Sequence, residues 1–361
     1  MREHGGNIYE RARKNGFSPD QVIDFSASIN PRGMPRKAID ELKNHIGLVP
    51  HYPEPYSESL SSAIAVHLRV DAGSVLCGNG STELIYLVPR ILKPKRVLIL
   101  APSFSEYERA CAINGPVSVD RYVLKPAKDF TVDPDGFIAA MRGARTGRTA
   151  QGCNLAFLCN PNNPTGRLMR KEDVLAIADA ARAIHCHLVV DEAFIDFCPG
   201  ESVIDSVAKN PYLIVLRSMT KFYALAGLRL GFGVFPPRLA EKLKRSKEPW
   251  SVNNLALAAG KVLFSDAAYQ KATLAMFRRE KRFLEKRLGD LGITYFASDA
   301  NYYLLYFKNA ETIVGKLEKK GILIRDCSNF KGLGKGYVRI AVRSRRENDL
   351  LMKELARTCA A

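Results

Sequence analysis

The sequence predicts an α/β protein, with a large domain built on a mostly parallel sheet and a smaller α+β domain at the C-terminal end. Three observations carry this. Between about residues 75 and 235, short apolar runs alternate with helix-length connections: VLILAP (97–102), LAFLCN (155–160), HLVVDEAF (187–194), LIVLRSMT (213–220) and LGFGVF (230–235). Continuous apolar runs of this length belong to strands buried on both faces, as in a parallel sheet covered by helices. After EPWSVN (248–253) the pattern changes to a long helical stretch, from about Leu255 to Leu288, and then to the shorter runs TYFAS, NYYLLYF, ILIRDC and YVRIAVR. The third observation is size: 361 residues, 47% hydrophobic and 25% charged, suffice for one large core and a second, smaller one. The expected division is an N-terminal arm over 1–30 packing on the small domain, a large α/β domain over 31–250, and a linking helix with the small domain over 251–361.

Composition narrows the function classes. Lys and Arg number 54 against 37 Asp and Glu, a net charge of +17. Much of the excess lies in segments that read as solvated, such as KATLAMFRREKRFLEKRL (271–288) and the loop MRGARTGRTAQG (141–152). No zinc-finger, RNP-type or zipper pattern accompanies the charge, so a basic surface is expected and nucleic acid is not an expected partner. The eight cysteines stand singly, with no C-x-x-C pair and mostly within apolar runs, as reduced core thiols do; no metal is expected. MREHGGNIYE lacks the apolar core of a signal peptide, and no apolar stretch approaches transmembrane length. A soluble, cytoplasmic protein without a membrane partner is expected.

In an open parallel sheet, ligands bind beyond the carboxyl ends of the strands, so the residues following each apolar run are the ones able to converge. SVLC (74–77) is followed by Gly78-Asn79-Gly80-Ser81-Thr82, LAFLCN delivers the segment from Asn160 to Gly166, HLVV delivers Asp191-Glu192, and LIVLRSMT delivers Lys221. Each is ordinary alone, since Asn-Pro segments and Asp-Glu pairs are common turns. At successive strand ends they define one crevice holding a glycine turn, an amide, a carboxylate and an amine.

These groups have a common ligand. A lysine in a cleft attacks carbonyls once deprotonated, and burial or a neighbouring cation lowers its pKa, so Lys221 points to an aldehyde. Asp191 at the end of a buried strand needs a cationic partner, which a protonated pyridine nitrogen supplies. Gly78 to Ile85 reads as a tight turn opening a helix, with Ser81 or Thr82 near its N-cap. Free N–H groups and the positive end of the helix dipole seat a phosphate there. Ser218 and Arg229, on either side of Lys221, complete that seat, Arg229 through charge-assisted contacts. Aldehyde, pyridine and phosphate together describe pyridoxal 5′-phosphate.

With NPNNPTG, DEAFIDF, SMTKFYALAGLRLG and the late arginine of YVRIAVR, the chain resembles the class I/II aminotransferase group of pyridoxal-phosphate enzymes over nearly its whole length. The resemblance implies the aspartate-aminotransferase-like fold (PLP fold type I). It implies Lys221 as the Schiff-base residue, Asp191 at the pyridine nitrogen, Asn163 near the ring hydroxyl and the substrate, and Tyr107 of PSFSEYERA stacked on the ring. It also implies Ser81, Thr82, Ser218 and Arg229 at the cofactor phosphate, Arg339 at a substrate carboxylate, and a homodimer in which Tyr56 of HYPEPYSESL reaches the phosphate in the other subunit. HGGNIYE and DFSASINPRGMP are similar to segments of members that hold a small phosphorylated amino compound. That implies Arg325 of ILIRDC at the substrate phosphate, an anion-binding turn from His4, Gly5, Gly6 and Asn7, and Ser28 and Asn30 nearby. Many members carry Tyr after the DEA motif where this chain has Phe194, the form that fits decarboxylation of a phosphorylated amino acid. Transamination is the other reaction the resemblance leaves open.

Overall fold

The computed structural model describes residues 4–143 and 152–359; the basic loop expected over 141–152 lies mostly outside the described residues. Strand β1 is the short Ile23–Asp24. The next seven strands form one sheet: β2 (Val75–Asn79), β3 (Arg96–Ala101), β4 (Ser118–Val123), β5 (Leu155–Cys159), β6 (His187–Asp191), β7 (Leu213–Ser218) and β8 (Leu230–Val234). Their order is β2-β8-β7-β6-β5-β3-β4. Strand β8 runs antiparallel to β2 and β7, and every other pairing in this sheet is parallel. The fold class expected from the apolar runs is the one observed. The strands stop one to three residues before the runs do, which leaves the chemically interesting residues at the last strand positions, such as Asp191 and Ser218, and in the loops beyond. Strand β4 has the sequence SVDRYV with mixed exposure, so a search for continuous apolar runs passes over this edge strand.

Helices cover both faces of the sheet. On one face Leu84, Ile85, Val88, Tyr107, Leu239 and Leu243 pack over Leu76, Ile99 and Phe157. On the other, Ile64, Phe137, Val174, Ile177 and Leu257 pack over Leu98, Leu158, Leu188 and Val215. A parallel sheet needs both coats, because its strands are apolar on both sides.

The expected single helix from Leu255 to Leu288 is two, Asn254–Leu263 and Ala267–Asp290. The break has a local cause: Asp266 caps the second helix, its carboxylate accepting the Tyr269 N–H at 3.0 Å. An Asp that bonds backbone N–H groups competes with continuous helix. Beyond this pair lie β9 (Thr294–Tyr295), β10 (Tyr302–Tyr306), β11 (Ile322–Leu323), β12 (Arg325–Asp326) and β13 (Tyr337–Ala341). Four of them form an antiparallel sheet in the order β12-β13-β10-β9, while β11 pairs in parallel with β1 through Ile23 and Ile322. ILIRDC is thus divided between two sheets. The division matters because Arg325 lies directly opposite Arg339 across β12 and β13.

The N-terminal segment rests on this C-terminal body: Phe25 joins the core of Leu284, Tyr303, Leu317, Ile340 and Leu351. The helix Ile8–Asn15 is tied down where Arg11 donates to Glu318 at 3.1 Å and Asn15 at 3.2 Å. Arg343, next to the late arginine motif, donates to the Asp24 carbonyl at 2.9 Å and pairs with Glu347. It braces β1 and does not line the principal cavity.

The β2-β8-β7 corner is packed backbone against backbone. A Cβ at Gly231 would lie 2.2 Å from Ser81 N and 2.9 Å from Arg217 O. Gly289, by contrast, faces open space in the helix Ala267–Asp290. Gly231→Ala is expected to lower stability in urea by about 2–4 kcal/mol, as overpacking against immovable backbone does. Gly289→Ala is expected to be neutral or stabilising by up to about 1 kcal/mol.

Candidate active site

The strand ends at this edge of the sheet are level, carboxyl ends for all but the antiparallel β8, which contributes its amino end. Cys159, Asp191 and Leu216 lie abreast on β5, β6 and β7, and Ser218, Gly231 and Gly78 on β7, β8 and β2. The loops leaving these ends enclose a cavity of about 400 Å³. Lys221, Asp191, Asn163, Ser81, Thr82, Ser218, Arg229, Arg325, Arg339, Tyr107, His4, Gly5 and Ser28 all line it. The strand-end reading and the two late arginines therefore converge on one place.

One wall is an anion seat. The helix Ser81–Leu92 begins at Gly80, whose φ of 75° suits glycine; a Cβ there would lie 2.6 Å from Arg229 Nη2. Arg229 is itself left-handed, φ 58°, and its carbonyl accepts the Gly80 N–H at 2.9 Å. Ser218 Oγ and Thr220 Oγ1 lie 2.7 Å apart beside it. Two glycines without room for a side chain, a helix N-terminus, paired hydroxyls and an exposed guanidinium compose a phosphate cradle.

The opposite requirement is met at Asp191. Its Oδ2 accepts the Tyr107 hydroxyl at 2.6 Å and its Oδ1 the Ala193 N–H at 3.0 Å. Burial nevertheless raises its pKa above the ordinary value, against the downward pull of Tyr107, the Ala193 N–H and Lys221. A buried carboxylate held by neutral donors and facing a cavity is a receptor for a cationic ring nitrogen. Next to it on the chain, Glu192 does something else: it accepts from Ser202 Oγ at 2.6 Å, the Val203 N–H at 2.8 Å and Arg217 at 3.2 Å, a buried brace.

Tyr107 is a correction. Its ring is fully buried, stacked on Phe157 at 4.8 Å, with its hydroxyl committed to Asp191. It supports Asp191 and is not placed to stack on a ligand. Phe104, less buried and three residues earlier, lines the cavity as well and packs edge-on against Tyr107 at 5.6 Å. Asn30 is another correction: its amide is spent on the Phe222 carbonyl at 2.8 Å and on Tyr269 at 2.8 Å, away from the cavity. Gly6 and Asn7 border a neighbouring cavity of about 360 Å³ and not the principal one, with Asn7 capping the helix Ile8–Asn15. Tyr56 is in a separate cleft beneath Lys244, 5.3 Å from its ring centre, and does not reach the cavity within its own chain.

Arg339 is clamped. It donates to the Ser26 carbonyl at 2.9 Å and to Asn163 Oδ1, and its guanidinium lies 4.9 Å from the Tyr302 ring centre. Its Nε and the Ser28 hydroxyl are buried without a hydrogen-bond partner among the described residues. Phe194 packs edge-on against the same Tyr302 at 4.9 Å, so the position after Asp191-Glu192-Ala193 offers the cavity no hydroxyl. Arg325 donates to Asn329 at 2.9 Å and lies over Phe330; burial first, and then Arg339, pull its pKa down. Ser26, Phe104, Glu106 and Thr220 also line the cavity and were not singled out from sequence. Phe104 and Glu106 sit just past a strand end, in the zone where Tyr107 was found.

The family model for "Aminotransferase class I and II" matches residues 20–355. The threonine-phosphate decarboxylase of Salmonella typhimurium is 40% identical over 98% of this chain and 95% of its own length. A histidinol-phosphate aminotransferase of Methanococcoides burtonii is 30% identical over 97% and 93%. Among solved structures, the L-threonine-O-3-phosphate decarboxylase of Porphyromonas gingivalis superposes with a TM-score of 0.80 at 27% identity, covering 93% of this chain and 99% of that one. The chain belongs to the class I and II aminotransferase family. The phosphate cradle, Asp191 and Lys221 fit that family's cofactor, pyridoxal 5′-phosphate.

Lys221 carries the testable electrostatics. Burial, then Arg339 and Arg229, push its pKa down from an ordinary 10.5 to about 8. A lowered pKa makes the neutral, nucleophilic amine predominate above pH 8 instead of above 10.5. The rate at which apoprotein takes up pyridoxal phosphate, followed by absorbance, is expected to rise with pH through a midpoint of about 8. A midpoint near 10.5 would contradict the geometry.

Proposed function

We propose that this chain is a pyridoxal-phosphate-dependent lyase that decarboxylates L-threonine O-3-phosphate to (R)-1-amino-2-propanol O-2-phosphate and carbon dioxide, in cobalamin biosynthesis. The observation that carries the reading is the pair Arg325 and Arg339, directly opposite each other on adjacent strands and lining one cavity. Like charges placed so are unfavourable unless something anionic joins them. A substrate with a carboxylate and a phosphate supplies one anion for each.

Lys221 would hold the cofactor's aldehyde carbon, Asp191 its ring nitrogen, Phe104 a ring face, and Ser81, Thr82, Ser218, Thr220 and Arg229 its phosphate. Bound pyridoxal phosphate supplies an electron sink for the pair left when a bond at the substrate's α-carbon breaks. The protein decides which bond that is. Arg339, fixed by Asn163 and Ser26, grips the carboxylate, and Arg325 grips the phosphate at the far end. Two fixed grips orient the α-carbon, so the binding energy of the remote phosphate is used for alignment. Once the carboxylate has left as carbon dioxide, Lys221 Nζ delivers a proton to the α-carbon. Phe194 leaves the neighbouring position apolar.

A cytoplasmic homodimer is part of the proposal. Tyr56 cannot serve its own cavity, and near it Ile46, Val49, Tyr52 and Trp250 are exposed; Tyr52 and Trp250 pack together at 5.3 Å. Such an apolar face suits a second copy that exchanges Tyr56 into the phosphate cradle. No helix among the described residues is long and apolar enough to cross a membrane.

Incubation with threonine phosphate is expected to release one carbon dioxide per substrate consumed, with no requirement for a keto acid. Arg325→Ala is expected to raise KM by roughly 100-fold, the loss of one charge-assisted contact of about 3 kcal/mol. A keto product formed only with 2-oxoglutarate, and no gas, would replace this reading with a transaminase.

A further inference from the structure

Outside the residues assigned so far, one buried carboxylate faces the cavity. Glu106 opens the helix Glu106–Ala112, is 6% exposed and lines the same wall as Phe104. It shares the cavity lining with Lys221, Arg229, Arg325 and Arg339, and its charge would oppose an anionic substrate unless engaged elsewhere. It is engaged. His4 Nε2 lies 2.9 Å from Glu106 Oε1, the Tyr86 hydroxyl donates to Oε2, and Arg109 Nη1 stands 4.0 Å from Oε1.

The contact with His4 spans 102 positions of sequence and ties the N-terminal arm to the large sheet's helical coat. The arm has a set path up to that point. Gly6 N–H donates to Ser26 Oγ at 2.8 Å, and Gly5 runs so close to Ser26 that a Cβ would lie 2.3 Å from its carbonyl oxygen. His4 emerges from this track with its side chain 46% exposed, tilted against Phe104 at 5.7 Å. His4 and Arg325 both line the two adjoining cavities. The imidazole therefore borders both cavities together with Arg325, and with Nε2 on Glu106 its Nδ1 is the ring nitrogen that remains for a ligand.

We infer that Glu106 is a positioning residue: it turns and holds His4 so that the arm presents an imidazole, on the same cavity lining as Arg325, to the substrate's phosphate. This rests on the reading of a phosphorylated substrate given above. It adds a role for a carboxylate that the cavity's other chemistry does not use. A histidine oriented by a buried carboxylate is a recurrent device for fixing which ring nitrogen meets the ligand.

The test is a double-mutant cycle on the holoenzyme. E106Q keeps the shape of the side chain and removes its charge; E106D keeps the charge and draws it back from the imidazole. Each is expected to raise KM for threonine phosphate about tenfold, with kcat within twofold of wild type. The dissociation constant for inorganic phosphate, measured calorimetrically, is expected to rise by the same factor. In a His4→Ala background, E106Q is expected to cost less than twofold more, because its effect passes through His4. Factors that multiply in the double variant, or KM and phosphate affinity within twofold of wild type in E106Q, would overturn the inference. The phosphate titration does not depend on the reaction, so an enzyme that fails to decarboxylate threonine phosphate would still decide the role of Glu106.

Discussion

Two guanidinium groups held abreast inside a cavity are the constraint around which this molecule is organised. Arg325 and Arg339 face each other across β12 and β13 because ILIRDC splits between two sheets, which starts β12 at Arg325 and sets its register. Placing like charges together in a partly desolvated site is costly, and the surroundings show how the cost is contained. Arg339 is held by a carbonyl, an amide and an aromatic face, and Arg325 by Asn329 and Phe330. Burial first, and then Arg339 of this pair together with Arg229, holds down the Lys221 pKa. Arg339 thus belongs both to the anion grips and to the setting that lowers the Lys221 pKa to about 8.

The two parts of the fold supply different ends of the site. In the proposed reading the large sheet would fix the cofactor's place, with Asp191 at one strand end and the Gly80 to Thr82 turn at another, registered through Ser218, Gly231 and Gly78. The smaller antiparallel sheet brings Arg325 and Arg339 to the cavity, and the segment after β1 brings Ser26 and Ser28. Cofactor chemistry would thus be anchored on the rigid core. Substrate choice is assigned to segments that approach it from the side, the division by which one fold serves many reactions.

Much of this was legible in the sequence, for a physical reason. Buried parallel strands read as unbroken apolar runs, so their ends, and with them Lys221, Asp191, Asn163 and Ser81, can be located by inspection. What was illegible depended on side-chain direction or on distant partners. Tyr107 and Phe104 are three residues apart, and sequence does not say which of two aromatic rings turns inward; the structure gives Asp191 to Tyr107 and the open face to Phe104. Asn30 looks like a ligand beside Ser28, but its partners Phe222 and Tyr269 are some 200 residues away. The break at Asp266 was readable as a cap and was masked by the helical character on both sides. Glu106 carries no motif of its own; its meaning comes from His4.

The central claim is that the arginine pair exists to divide a doubly charged substrate between its members. A crystal structure with L-threonine O-3-phosphate bound measures this directly. The account predicts the phosphate within hydrogen-bonding distance of Arg325 and the carboxylate within hydrogen-bonding distance of Arg339. Both anions gathered on one arginine, or the phosphate lying against Arg339, would contradict it.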